Sequence, residues 1–151
     1  MLLRHPMAAS TLHDMKEGTH FLPVIEDNSV SPTDVTKVIF CSGKHYYALQ
    51  KERETRALKD VAIIRVELLC PFPVEALRIA QCKFPSAKSY VWSQEEPRNA
   101  GAWSFMQARF LNALGIGLKY CGRAELAWTA TPIASLHEAE LKKVIADTFA
   151  D

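Results

Sequence analysis

The amino-acid sequence predicts an α/β fold, built as a three-layer sandwich with a mainly parallel sheet. Short apolar runs that suit buried strands alternate four times with helical patterns after residue 35. Strands that alternate with helices form parallel sheets, and right-handed crossovers place the helices on both faces. A chain of 151 residues, 48% of them apolar, is long enough for one such domain to bury most of its apolar surface.

The start of the chain lacks a regular period. Proline and glycine interrupt it, which leaves a short helix over Ala8–Met15 and a short extended piece over Phe21–Ile25. Turn-forming residues follow between positions 27 and 34. We therefore expect a mostly irregular segment over residues 1–34 and an α/β domain over residues 35–151.

Two strand–helix pairs open the domain. Lys37–Cys41 is an apolar run followed by Ser-Gly, which indicates a buried parallel strand, and helical spacing then runs to Glu54. Val61–Ile64 is the second apolar run. Pro71-Phe72-Pro73 opens the next helix, which we expect to end near Lys83, because proline suits the first turn of a helix.

A third pair and a fourth strand come next. Ser89–Ser93 predicts a strand, and Ala100–Leu114 predicts a helix that ends at Gly115 or Gly117. Leu118–Cys121 is the fourth strand.

The last helix follows a loop over residues 123–134. Ser135 is the expected N-cap, because Glu138 lies three residues on in capping-box spacing. Apolar residues at helical spacing give this helix one buried side.

Charge and composition argue against several classes of function. A net charge of +1 predicts no strong attraction to nucleic acid or acidic membranes. The sequence contains no run of about 18 apolar residues, so we expect no transmembrane helix. The four cysteines form no C-x-x-C pair, so we expect no metal site. Cys41 and Cys121 lie in strand-like runs and are expected to be buried, reduced thiols.

Polar residues collect at the expected carboxyl ends of the strands, where ligands bind in such sheets. Ser42, Gly43, Lys44 and His45 form the first of these loops. Helix amides together with Lys44 suit a phosphate or carboxylate. An ordinary helix cap and turn is the alternative.

Arg65 ends the second strand and needs a partner, because an unpaired buried guanidinium is costly. Glu67, Glu95 or Glu96 could pair with it. A direct contact with a ligand is the alternative.

Gln94–Asn99 forms the third loop. Its adjacent carboxylates, Glu95 and Glu96, suit either acid–base chemistry or structural roles, with one capping the next helix and the other pairing with an arginine across an interface. Gly122–Glu125, the fourth loop, is expected to be a solvated turn or an interface contact.

No nucleophile–base set, metalloprotease motif or dinucleotide fingerprint is present in the sequence. We expect His45 and His137 to be hydrogen-bonded structural residues, and we identify no catalytic residue. A small independent enzyme that uses Glu95 or Glu96 with His45 is a third hypothesis.

Several motifs occur in a fixed order along the chain, at residues 2–10, 18–25, 41–47, 64–67, 71–73 and 94–97. In this order and approximate spacing they resemble the C-terminal end of the thiamine-diphosphate-dependent 2-oxo acid dehydrogenases of the 2-oxoglutarate dehydrogenase type. The resemblance covers essentially the whole chain. The sequence of residues 92–97 and 102–105 is closer to the 2-oxoadipate dehydrogenase branch.

The resemblance implies a transketolase C-terminal-like fold and part of an oxidoreductase. The complete family enzyme decarboxylates a 2-oxo acid with thiamine diphosphate and magnesium, as a homodimer, and acylates the lipoyl group of a partner acyltransferase. Residues 1–34 would be the linker, or crossing segment, from a missing upstream domain. We therefore expect a piece of a longer protein that binds no cofactor and catalyses nothing alone.

Some members of the family bind AMP or acetyl-CoA as allosteric effectors with the help of this domain. By resemblance, Arg4, Ser42, Lys44 and Gln94 are the candidates for contacts with phosphate or adenine. Arg65 and Arg98 are held in reserve.

Two main hypotheses stand. The chain is either the regulatory and assembly domain of such a dehydrogenase or a free-standing nucleotide- or anion-binding module. An exposed apolar face would favour the first, and a polar surface throughout would favour the second. The resemblance implies the mitochondrial matrix for a eukaryotic protein and the cytoplasm for a bacterial one.

Overall fold

The computed structural model describes residues 2–128 and 130–150, and its strands form one mixed sheet. Within the described residues the strands are β1 (Val24–Ile25), β2 (Lys37–Cys41), β3 (Val61–Val66), β4 (Ser89–Pro97) and β5 (Lys119–Arg123). Their order across the sheet is β1-β3-β2-β4-β5. Strands β3, β2, β4 and β5 run parallel, and β1 pairs antiparallel with β3 at one edge. The predicted α/β fold with a mainly parallel sheet is confirmed.

Four α-helices connect and cover the strands. They are α1 (His45–Thr55), α2 (Val74–Cys82), α3 (Trp103–Arg109) and α4 (Ala134–Phe149). A π-helical turn, Phe110–Leu114, continues α3, and Gly115 then ends the helix with a positive φ of 71°. None of the described helices is both long enough and apolar enough to cross a membrane.

Two apolar clusters, one on each face of the sheet, make up the core and define the three layers. The cluster under α2 and α3 contains the largest fully buried side chains of the core, among them Phe40, Trp92 and Phe110. The face covered by α1 and α4 buries smaller ones, including Ile39, Leu49, Ile63 and both Cys41 and Cys121. Alternate residues of each strand point to opposite faces, which explains why neighbours such as Val91 and Trp92 belong to different clusters.

Three predicted details are wrong. The helix expected over Ala8–Met15 is only a 3-10 turn over His13–Met15, since no described side chain of that turn is buried against the core and a short helix is marginal without packing. β4 continues through Pro97, beyond the expected end at Ser93, with an irregularity in its pairing to β5. Ser135 does not cap α4, because the helix begins at Ala134 and its N-cap, Ile133, makes no side-chain hydrogen bond.

Candidate functional site

A cleft opens at the carboxyl edge of the sheet between β2 and β4. The chain leaves β2 toward α1 on one face and leaves β4 toward α3 on the other face, so the loops separate there and leave a crevice. The cleft has a volume of about 510 Å³ and is lined by residues 42–45, 92–96 and 100–102, together with Leu69. The structure thus brings Ser42, Lys44 and Gln94 together, as three of the candidate residues.

The first wall of the cleft is the loop from Ser42 to His45, which leads into α1. Gly43 has a φ of +61°, a conformation that favours glycine. Its N–H donates to Oε1 of Glu67 at 3.3 Å. Nζ of Lys44 donates to Oε1 of Glu95 on β4 at 2.6 Å, and this ion pair spans the cleft from one wall to the other.

His45 begins α1 and is almost completely buried, with 3% of its surface exposed. Its Nε2 lies 2.9 Å from Oγ of Ser93, which lies 2.8 Å from Oγ1 of Thr148 on α4. Thr148 has one hydroxyl hydrogen, and its shortest contact is the 2.7 Å bond to the carbonyl of Val144. Ser93 then donates to Thr148, and the Nε2–H of His45 donates to Ser93.

This direction of the hydrogen bonds leaves Nδ1 of His45 as an acceptor. Nδ1 is buried and has no partner among the described residues. Burial lowers the pKa of His45 to about 4, with Lys44 and Arg123 adding to the effect and Glu95 opposing it. The imidazole is therefore neutral near pH 7 and presents a hydrogen-bond acceptor, not a charge.

Gln94 holds the second wall in place. Its Oε1 accepts from Nε1 of Trp92 at 2.9 Å and from the backbone N–H of Trp103 at 3.0 Å. Its Nε2 donates to the carbonyls of Glu96 and Pro97. A Cβ at Gly101 would collide with this amide, so Gly101 is required for the close approach. The amide of Gln94 lines the cleft, but its hydrogen bonds are already made within the protein.

Arg65, Arg98 and Arg4 do not line the cleft. Arg65 forms an ion pair with Glu67 at 3.0 Å, which is the pairing with a glutamate that the sequence predicted as one alternative. Its guanidinium lies over the ring of Tyr46, 4.8 Å from the ring centroid. Arg98 lies over the rings of Trp103 and Tyr120 on the α3 side. Arg4 is exposed in a 3-10 turn, Leu2–Arg4, next to His5, whose ring packs against Tyr47.

Sequence reasoning missed the role of Arg123. It was expected in a solvated turn or an interface contact, but it ends β5 almost buried. Its Nε donates to Glu140 on α4 at 2.9 Å, and its guanidinium also reaches the carbonyl of Glu95. The spacing could have indicated this position, because Arg123 lies two residues after buried Cys121 on the same strand and therefore faces the same layer.

The two buried cysteines add no reactive group to the cleft. Burial raises the pKa of the Cys41 and Cys121 thiols, so both stay protonated and are poor nucleophiles. Among the residues the structure describes, no group of three or more His, Cys, Asp or Glu is placed to hold a metal ion. The cleft is lined by the ammonium of Lys44 and by the start of a helix, α1.

The sheet topology defines an α/β domain with a cleft at the carboxyl ends of its parallel strands. Comparison with known proteins makes the assignment specific: the sequence model of the 2-oxoglutarate dehydrogenase C-terminal family matches residues 9–149. The chain belongs to that family, which bears out the resemblance and the transketolase C-terminal-like fold that it implied.

Three relatives show how far the similarity extends. A probable 2-oxoadipate dehydrogenase complex component E1 homolog of Caenorhabditis elegans is 56% identical over 99% of this chain and 17% of its own length. The 2-oxoadipate dehydrogenase complex component E1 of Homo sapiens is 48% identical over 99% of this chain and 16% of its own length. A 2-oxoglutarate dehydrogenase E1 component of Haemophilus influenzae is 41% identical over 98% of this chain and 16% of its own length.

The chain therefore spans about a sixth of the length of these curated relatives.

Proposed function

We propose that this chain acts as the C-terminal regulatory and assembly domain of a 2-oxo acid dehydrogenase of the 2-oxoadipate type. The choice of branch rests on identity, which is 56% and 48% to relatives named for 2-oxoadipate and 41% to one named for 2-oxoglutarate. In this proposal the complete enzyme is a homodimer that decarboxylates the 2-oxo acid. It passes the acyl group to the lipoyl group of a partner acyltransferase.

An exposed apolar surface on residues 2–34 is the observation that carries the assembly role. Phe21 is fully exposed and Leu22 about half exposed. Both line a groove of about 490 Å³ beside β1 and β3, together with Leu68. Met7, Leu12 and Met15 are exposed on the same segment. Exposed large apolar side chains beside a groove are typical of a protein–protein contact, which favours the assembly domain over a free-standing polar module.

Thiamine diphosphate and magnesium belong, in this proposal, to the part of the relatives that this chain does not match. The described residues contain no metal-binding cluster, and of the two carboxylates of the cleft, Glu95 is paired with Lys44. The residues present do not fit the cofactor, and we derive no catalytic step through them. A eukaryotic enzyme of this type would act in the mitochondrial matrix and a bacterial one in the cytoplasm.

The regulatory role rests on the cleft, which we propose as the site of an anionic effector such as AMP or acetyl-CoA. Ser42 and Lys44 would contact a phosphate group, with the amides at the start of α1 and the dipole of that helix adding to the attraction. Gln94 would shape the wall. Direct contacts from Arg4, Arg65 and Arg98 stay predictions, and each would need a change from the positions described here.

A chimera tests the proposal. The last sixth of the Caenorhabditis elegans relative, the part this chain matches, would be replaced by this chain, and oxidation of 2-oxoadipate and 2-oxoglutarate would be measured. We expect activity comparable to that of the parent, with preference for 2-oxoadipate, and no activity from the same relative without the segment. A folded but inactive chimera, or activity of the chain alone, would contradict the proposal.

A further inference from the structure

The apolar groove beside β1 and the cleft between β2 and β4 share one carboxylate. Glu67 lines the groove, and its Oε1 accepts the N–H of Gly43, which lines the cleft, at 3.3 Å. The same oxygen accepts Nε–H of Arg65, another residue that lines the groove, at 3.0 Å. The carboxylate of Glu67 therefore connects the groove to the cleft.

The backbone at Glu67 is held by the apolar segment itself. The N–H groups of Glu67 and Leu68 both donate to the carbonyl of Pro23, at 2.9 and 3.0 Å. Pro23 directly follows Phe21 and Leu22, the exposed side chains of the groove. A partner that binds at these side chains therefore contacts the part of the chain that positions the carboxylate of Glu67.

Two aromatic contacts join the same side of the molecule to the first turn of α1. The guanidinium of Arg65 lies 4.8 Å from the ring centroid of Tyr46 and 5.6 Å from that of Tyr47. The ring of His5 packs against Tyr47, with 4.4 Å between the two centroids. Residues on the groove side thus contact both the loop that forms one wall of the cleft and the helix that follows it.

Covering the groove would strengthen these contacts. The side chains of Arg65 and Glu67 are 20% and 28% exposed, so water still screens their interactions. A partner that excludes this water lowers the local dielectric constant, which strengthens the ion pair and the hydrogen bond from Gly43. A covered carboxylate also depends more on the donors that it keeps, because a buried acceptor without a donor costs free energy.

We infer that contact at the groove orders the loop from Ser42 to His45 through the carboxylate of Glu67. The loop is held in its described position more firmly when the groove is covered than when it is open. This inference rests on the assembly role proposed above and adds a conformational relay to it. Linkage requires the reverse as well, so whatever fixes the loop also strengthens the contact at the groove.

Hydrogen–deuterium exchange of residues 41–47, read by mass spectrometry, tests the relay. It is measured on the separate chain and on the active chimera with the Caenorhabditis elegans relative, whose groove the assembly role requires to be covered. Amide hydrogens of this stretch, that of Gly43 above all, should exchange about tenfold more slowly in the chimera, as expected when one hydrogen bond to a charged group is strengthened. Glu67→Ala should abolish most of this slowing.

Glu26→Ala is the matched control. Glu26 lies on the segment over residues 2–34 and forms an ion pair with Lys83 at 3.1 Å. Its side chain is 34% exposed, close to the value for Glu67, but it lines neither the groove nor the cleft. Its substitution removes the same charge and should leave the slowing intact. Glu67→Gln keeps an oxygen acceptor without the charge and should lose part of the slowing, which carries the test if Glu67→Ala does not fold.

The outcomes separate the relay from the assembly role. If the stretch exchanges equally fast in the separate chain and in the active chimera, or stays slowed in the Glu67→Ala chimera, the relay is wrong and the assembly role stands. Equal loss of slowing in Glu26→Ala and Glu67→Ala would also overturn the relay, because the effect would then follow charge alone. A folded but inactive chimera would contradict the assembly role, and the relay would fall with it.

Discussion

Residues 2–34 and residues 35–150 treat their apolar side chains in opposite ways. The second region buries them in two clusters, one on each face of the sheet. In the first region Val24 is the one apolar side chain that is buried among those described, and Phe21, Leu12 and Met15 face outward. The segment therefore buries little apolar surface of its own. This agrees with the proposal that its apolar residues contact another part of a larger enzyme.

The segment is nevertheless held to the domain around β1. Val24 and Ile25 pair with Val66 and Arg65 at the edge of the sheet. Two residues further on, Asp27 forms a buried ion pair with Arg53 of α1. Oδ2 of Asp27 also accepts the N–H of Ile63 at 2.8 Å. Nζ of Lys83 also donates to Glu26 and Asn28, and the ring of His5 packs against Tyr47.

Asp27→Ala should produce the largest loss of stability, because it leaves Arg53 buried without its charged partner. We expect the free energy of unfolding to fall by about 3–5 kcal/mol. Urea unfolding at pH 7 measures the change. Asp34→Ala, an exposed aspartate in the following turn, is the control and should change stability by less than about 0.5 kcal/mol. Equal effects of the two substitutions would show that the ion pair does not anchor the segment.

The same pair predicts a dependence on acid. Burial alone would raise the pKa of Asp27, but hydrogen bonds from Ser29 and Ile63 and the charge of Arg53 together hold it below its usual value. A carboxylate with a lowered pKa stabilises the fold at neutral pH, and this contribution disappears as the pH falls below about 3.8 through the lowered pKa. Asp27→Asn should remove this part of the acid sensitivity.

His45 gives the next largest effect and places the pH sensitivity of the domain in a different range. Its pKa of about 4 when folded lies below the usual 6.5. The unfolded chain binds the proton more readily, so stability falls as the pH decreases from 6.5 toward 4, by at most roughly 3 kcal/mol. Urea titrations across this range should show a flatter profile for His45→Asn. The profile of the exposed control His20→Asn should match the wild type, and an unchanged slope in His45→Asn would contradict the assignment.

Phe21→Ser combined with Leu22→Ser should have the smallest effect on the chain itself. Phe21 has no buried surface that unfolding would expose, and Leu22 has little. The free energy of unfolding should therefore change by less than about 0.5 kcal/mol. A loss comparable with that of Asp27→Ala would mean that the segment is packed in solution and that the contrast between the two regions is wrong.

The sequence was sufficient to predict the strands and helices of the domain, because apolar runs and helical periods are local patterns. It was also sufficient to place Ser42, Lys44 and Gln94 at one edge of the sheet, since the carboxyl ends of parallel strands meet there. The indole of Trp92 needs an acceptor, and Gln94 lies two residues on and faces the same layer. That spacing could have shown that the amide is structural.

Contacts between residues that are far apart in the sequence could not be predicted from it. Asp27 and Arg53 are separated by 26 positions, and only the folded chain shows that they meet. The same holds for Arg123, whose partners come from β4 and α4. Choices of ion-pair partner depend on distances of a few ångströms, which is why the sequence left Arg65 with three possible glutamates.

The most direct test of the account places Phe21→Ser and Leu22→Ser in the chimera with the Caenorhabditis elegans relative. We expect oxidation of 2-oxoadipate to fall sharply, while the stability of the separate chain is unchanged, because we propose that the domain meets the rest of the enzyme at the exposed groove. Full activity of the substituted chimera would contradict it.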